Sequence, residues 1–264
     1  MFIAINTESL SKNTPEAVAK AAALGFKHIE VNLQTDEYGN GYKRKPNVRF
    51  YRELKKQIDG LGLSVWSVTT TPLTQEQMFF ERARKDIFLG NAGAAGILEA
   101  KVVVVRPADI FTSEINFETY LREKTAPPMI EGYDEGWVQV VNRRMIVALL
   151  NHDHWLGIPL TNSAERMALL TEDLAVGWAF DVTRGLNRGQ MADWLEKLNE
   201  RMAVAYAYDL LDDGETICAP ISEKWGERAA ALNQTRLKCL VLRANPRQSA
   251  DEIKQSYDYL AGLF

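Results

Sequence analysis

Cysteine and histidine are both scarce in this sequence: two cysteines, Cys218 and Cys239, and three histidines stand among 264 residues. Two cysteines cannot make a disulfide framework, and their spacing is not that of a zinc site. A reducing, cytoplasmic setting is the natural expectation. No stretch approaches the about 18 consecutive apolar residues that a membrane helix needs. The start, MFIAINTESL, runs straight into a short apolar segment with no basic leader region, so no signal peptide is expected. Excess positive charge is missing too. A net charge of −4 and a pI near 5.6 argue against a general binder of nucleic acid or of anionic membranes.

What is present is ordinary for a soluble globular domain: 46% hydrophobic and 25% charged residues. Eight short apolar runs punctuate the chain: FIAIN (2–6), HIEVNL (28–33), LSVWSV (63–68), KVVVVR (101–106), IPLTN (158–162), VGWAFD (176–181), AVAYAYD (203–209) and KCLVLR (238–243). Amphipathic segments of helical period separate them, near 14–24, 47–60, 75–98, 136–156, 163–173, 188–200, 221–234 and 248–262. Thr14-Pro15-Glu16 places proline at a helix start, and Ser249-x-x-Glu252 fits a capping box. Strands alternating with helices imply right-handed crossovers and a parallel sheet. Eight such units in this length predict one α/β domain over 1–264, a (β/α)8 TIM barrel.

Gly90-x-x-Gly93-x-x-Gly96 has the spacing of a dinucleotide loop but sits in a helical stretch before a strand, the reverse of that fingerprint's setting. Small residues for close helix packing are the better reading, and no cofactor is expected. The segment 107–135, with Pro127-Pro128 and Gly132, is unusually long for a connection. It follows the fourth strand, on the face where barrels build active sites, and suits a lid or a homodimer arm.

The strand ends carry the chemistry. Arg106 ends strand four, Arg184 follows strand six and Arg243 ends strand eight, while strand two carries Glu30. Asp181 ends strand six, and Asp209 ends strand seven beside Tyr206 and Tyr208. Three guanidiniums about 7 Å apart would repel by about 2 kcal/mol per pair at an effective dielectric near 20. The acids offset part of this, and an anionic ligand, whose oxygens match the guanidinium fork, would offset the rest. The plainer alternative is that each arginine pairs with a neighbouring acid and rims the barrel.

These segments, in order, are LGFKHIEVNL, LGLSVWSVTTTP, KVVVVRP, GIPLTNS, GWAFDVTRG and VAYAYD. Their order and spacing resemble the xylose isomerase-like TIM barrels, which include sugar and sugar-phosphate isomerases and epimerases and the endonuclease IV-type repair enzymes. The resemblance implies a divalent metal held by histidines and carboxylates at the strand ends. This chain departs from that pattern. Arg106-Pro107 stands for His-Pro, Thr161-Asn162 for the Glu-Asn of strand five, and Arg184 for the histidine of Asp-x-x-His. Tyr206 replaces the histidine of His-x-x-Asp, and Arg243 the glutamate of strand eight. Glu30 and Asp181 are retained. Arginine has no lone pair to donate, so no metal is expected. His152 and His154, in NHDHW, are read as the end of a helix before strand five. There they would point about 200° apart and could not chelate together.

The expected function is therefore a divergent isomerase- or epimerase-like barrel. It would bind a small anionic sugar or hydroxy or keto acid and isomerise it without a metal. Glu30 and Asp181 are the candidate catalytic residues, and Arg106, Asn162, Arg184, Tyr206, Tyr208, Asp209 and Arg243 the candidate substrate contacts. The alternative is an inactive pseudoenzyme that binds a metabolite or a protein. An abasic-site nuclease would need a metal cluster that this sequence does not assemble.

Overall fold

The computed structural model describes residues 1–33, 47–70, 81–106, 145–151, 164–165, 168, 176–183, 191–214, 216–220 and 224–264. Eight strands close into a parallel barrel. They are β1 (Phe2–Asn6), β2 (His28–Asn32), β3 (Ser64–Thr69), β4 (Val102–Val105), β5 (Ile146–Leu150), β6 (Gly177–Asp181), β7 (Met202–Ala207) and, after a small hairpin, β10 (Cys239–Leu242). Around the ring the order is β1-β10-β7-β6-β5-β4-β3-β2. The hairpin pairs β8 (Asp209–Leu210) with β9 (Ile217–Cys218) in antiparallel fashion. Helices α1 (Thr14–Ala23), α2 (Val48–Gly60), α3 (Glu81–Ile97), α4 (Met191–Leu198), α5 (Lys224–Leu232) and α6 (Ala250–Ala261) lie between or after strands. The expected TIM barrel is present.

Local chemistry accounts for the helix starts. Asn13 and Asn47 cap α1 and α2 by accepting from the amides of Glu16 and Phe50, and Ser249 and Glu252 form the capping box of α6. Each such cap satisfies a donor that the first turn leaves open. Gly90, Gly93 and Gly96 all lie within α3.

One strand is not where periodicity suggests. The fifth strand is Ile146–Leu150, inside the segment expected to be helical, and 158–162 lies outside the described residues. A barrel strand has partners on both edges, and Pro159 in IPLTN has no N–H to give to a ladder. IVALL has no such gap and pairs with both Val102–Val105 and Gly177–Ala179. At that second seam a side chain on Gly177 would meet Ile146 Cγ2 at 2.9 Å and the Arg201 carbonyl at 3.0 Å, so glycine lets β5 and β6 approach. Residues 106–145 therefore join β4 to β5, and 107–144, which contains the expected excursion 107–135, lies outside the described residues.

Alternation divides each strand between two apolar layers. Ile3, Ile5, Ile29, Val31, Val103, Val105, Val147, Leu149, Leu240 and Leu242 face the helices. Ala4, Val102, Val104, Ala148, Ala179, Val204, Tyr206, Tyr208, Cys239 and Val241 fill the barrel. Small side chains on β1, β5 and β6 leave room for Tyr206 of β7 and for Tyr208 just after it. A shift in register between β2 and β3 sets Glu30 opposite Ser67 rather than Trp66. Such bulges re-aim side chains: Trp66 packs against the interior cluster, and Ser67 also faces inward, onto Glu30.

Candidate active site

Continuing the inward register to the C-terminal strand ends brings Asn6, Glu30, Asn32, Asp181, Tyr206, Tyr208 and Arg243 to one mouth. Glu30 is fully buried and well supplied with donors. Its Oε1 accepts from Asn6 Nδ2 at 2.8 Å, and its Oε2 accepts from Ser67 Oγ at 2.7 Å and from the Tyr206 hydroxyl at 3.0 Å. Arg243 Nη2 lies 3.7 Å from Oε1. A buried carboxylate is tolerated when it is met in this way.

Arg243 is a cation of the site. Its guanidinium carbon lies 3.8 Å from the centroid of the Tyr206 ring, a stacked arrangement that arginine favours. Burial disfavours its charge, but Tyr206, Glu30, Asp181 and Tyr208 outweigh burial and hold its pKa above the ordinary value. Its Nε is buried and has no hydrogen-bond acceptor among the described residues. Burial and the Glu30 charge push the Tyr206 phenol well up, so it remains a hydrogen-bond donor.

Asp181 forms a second carboxylate–tyrosine pair. The Tyr208 hydroxyl donates to both its oxygens, at 2.8 and 2.7 Å, and Asp181 is 3% exposed. Asn151, just past β5, holds the Asp181 backbone by accepting from its amide at 2.7 Å and donating to its carbonyl at 3.3 Å. A cavity of ≈ 610 Å³ opens at Asn6, Asn32 and Arg243, and Glu8, Ser9, Lys12, Ile217, Ala244 and Pro246 complete its lining.

The other expected site residues are placed differently. Asp209 begins the β8–β9 hairpin and turns toward α5, accepting from Trp225 Nε1 at 3.0 Å and lying 3.7 Å from Arg228 Nη1. Arg106 continues the inward register of Val102 and Val104, but β4 and β10 lie opposite each other in the ring, and Arg106 does not line this cavity. Arg184 and Asn162 lie outside the described residues. The fifth strand ends at Leu150 and is followed by Asn151. His152 and His154, also outside the described residues, follow the C-terminal end of β5 in the chain instead of preceding strand five.

Asn6, Asn32, Ser67, Asn151 and Arg228 are contacts that sequence reading missed. Asn6 and Asn32 carried a signal, being polar residues in phase with Ala4 and Glu30 at the ends of apolar runs. Ser67 depends on the bulge and Arg228 lies on a helix, so neither carried one.

Among the described residues no group of three His, Cys, Asp or Glu able to hold a metal occurs. Leu150 and Arg243 have no lone pair to give, and Glu30 is engaged by three donors.

No protein-family model matches the sequence, and no curated protein matches it either. Solved structures do match. D-psicose 3-epimerase from Clostridium cellulolyticum H10, crystallised with D-tagatose, is 12% identical with a TM-score of 0.69, over 100% of this chain and 99% of that one. The 3-keto-D-glucoside 4-epimerase of E. coli is 15% identical with a TM-score of 0.64, over 99% of each chain. An AP endonuclease of family 2 from Brucella melitensis is 13% identical with a TM-score of 0.68, over 99% of this chain and 98% of that one. The chain shares the TIM-barrel fold of these structures. Among its described residues no helix of this barrel is long and apolar enough to cross a membrane.

Proposed function

We propose that this barrel binds a small anionic sugar or a hydroxy or keto acid at its C-terminal mouth and isomerises or epimerises it without a metal. The observation that carries the reading is Arg243, a fixed cation stacked on Tyr206 with a buried N–H that lacks an acceptor, in electrostatic reach of the Asp181–Tyr208 pair. Asp181 would take the proton from the carbon beside the substrate carbonyl. The released electron pair would shift to the carbonyl oxygen, and Arg243 would stabilise the resulting enediolate. Once Asp181 is protonated, Tyr208 is free to turn its hydroxyl toward that oxygen. Return of the proton to the former carbonyl carbon, with the neighbouring hydroxyl proton passing to the first oxygen, gives the isomer. Protonation of the original carbon on its opposite face, by a donor other than Asp181, gives the epimer. Glu30, met on both oxygens, would hold Arg243 and Tyr206 in place. Arg106 and Arg184 are proposed as further anion contacts.

A second reading, a barrel that binds such a ligand without turnover, is favoured by one observation: both carboxylates are already engaged by tyrosine hydroxyls. Hydrogen–deuterium exchange separates the two. Protein dialysed against chelator is incubated in D2O with sugar phosphates, aldonates, uronates and small hydroxy and keto acids, and C–H exchange is followed by NMR. Turnover predicts exchange that survives chelation and falls by about 10²–10⁴ in Asp181→Asn. Bound ligands that never exchange would establish the second reading, and exchange that needs added metal would overturn metal independence.

A further inference from the structure

A ladder of side-chain hydrogen bonds climbs one wall of the cavity. From buried Glu30 it passes to Asn6, whose two Nδ2 hydrogens go to Glu30 at 2.8 Å and to Asn32 Oδ1 at 2.7 Å. Asn32 Nδ2 then donates to exposed Glu8 at 2.5 Å. Asn6 Oδ1 accepts from the Glu8 amide at 3.1 Å and fixes that residue's backbone. The ladder is closed at the buried end and open at the other. Asn32 keeps a second N–H that no hydrogen bond among the described residues uses, and Glu8 keeps acceptor capacity beyond the one bond it receives. A donor beside an acceptor on a cavity wall matches hydroxyl groups, which both give and receive.

On the neighbouring wall stands Arg243, with its buried, acceptor-less Nε. Among the described residues that line the cavity, Lys12 and Arg243 are cationic and Glu8 is anionic, while buried Glu30 pairs with Arg243 from behind. The lining thus carries one surplus positive charge, which a single negative charge balances, and a second would also face Glu8. Ile217, from the hairpin, adds an apolar surface for the C–H face of a ligand. A volume of ≈ 610 Å³ lies within the range of about 300–1,000 Å³ usual for small-molecule sites.

We infer that this cavity takes a polyhydroxy acid carrying one negative charge, its carboxylate on Arg243 and its hydroxyls on Asn32 and Glu8. The inference rests on the reading of the mouth as a small-anion site and adds the charge and the hydroxyl pattern. Isothermal titration of the full chain with D-gluconate, acetate, D-glucitol and inorganic phosphate tests it. Gluconate should bind at least about tenfold more tightly than each of the other three. Glu8→Gln, at an exposed position where folding is not at stake, and Asn32→Ala should each weaken gluconate about tenfold and leave acetate unchanged. Acetate or phosphate binding as tightly as gluconate would overturn the inference, as would gluconate binding that ignores both variants. If those same anions are then lost in Arg243→Met, the small-anion reading survives while the hydroxyl ladder falls. Glucitol binding as tightly as gluconate would overturn the charge assignment together with the anion reading.

Discussion

The guanidinium of Arg243 lies 3.8 Å over the Tyr206 ring, and the hydroxyl of that tyrosine donates to Glu30, the carboxylate that Arg243 pairs with. Cation, ring and anion thus close a triangle across β10, β7 and β2, although β2 and β7 are not neighbours in the barrel. The triangle supplies a positive charge that dilution or chelation cannot remove.

Because the three groups satisfy one another, removing one should harm the others. Glu30→Ala leaves a half-buried guanidinium without its acid and the buried Ser67 and Tyr206 donors without an acceptor, and should cost about 3–5 kcal/mol in urea unfolding. Arg243→Met alone should cost less, since three hydrogen bonds still meet the carboxylate. In a double-mutant cycle the pair should couple by about 1–3 kcal/mol. Costs that add within about 0.5 kcal/mol would show that Arg243 and Glu30 are neighbours without being partners.

Cys239 lies in the barrel interior near Glu30, and its thiol is pushed well up by burial and by the Glu30 charge. Cys218 is shifted the same way, by burial and by Asp209. Since the thiolate is the reactive form, Ellman's reagent at pH 8 should label neither cysteine in the native protein and both in guanidinium. Rapid native labelling of either would show that its strand opens to solvent.

Seven of the eight barrel strands could be read from the sequence because each is a compact apolar run bounded by turn chemistry. The fifth could not. Val138, Val140, Val141, Met145 and Val147 mimic a helical face, and only the ladder's need for an unbroken row of donors decides for IVALL over IPLTN. At the site, Glu30, Asp181, Tyr206, Tyr208 and Arg243 were legible as polar groups ending apolar strands. Period two says which residues point inward, not whom they meet. Asp209, one residue past Tyr208, therefore looked like a mouth residue and instead faces Trp225 and Arg228.

At the opposite end of β2, His28 packs against Phe2 with ring centroids 4.2 Å apart, and its Nδ1 lies 2.7 Å from Ser64 Oγ. Burial lowers its pKa from the ordinary 6.5. A histidine whose folded pKa is depressed favours the neutral ring, so below 6.5 the unfolded chain takes up a proton that the folded chain resists. The stability His28 contributes is fully present above 6.5 and is lost as pH falls through the depressed value. Urea midpoints measured at pH 7.5 and pH 5 should therefore differ less in His28→Phe than in the wild type. Phenylalanine keeps the ring against Phe2 and removes the titration, so the difference between the two proteins isolates this histidine from His152 and His154. An equal loss in both would mean that His28 is protonated as readily in the folded barrel as in the unfolded chain.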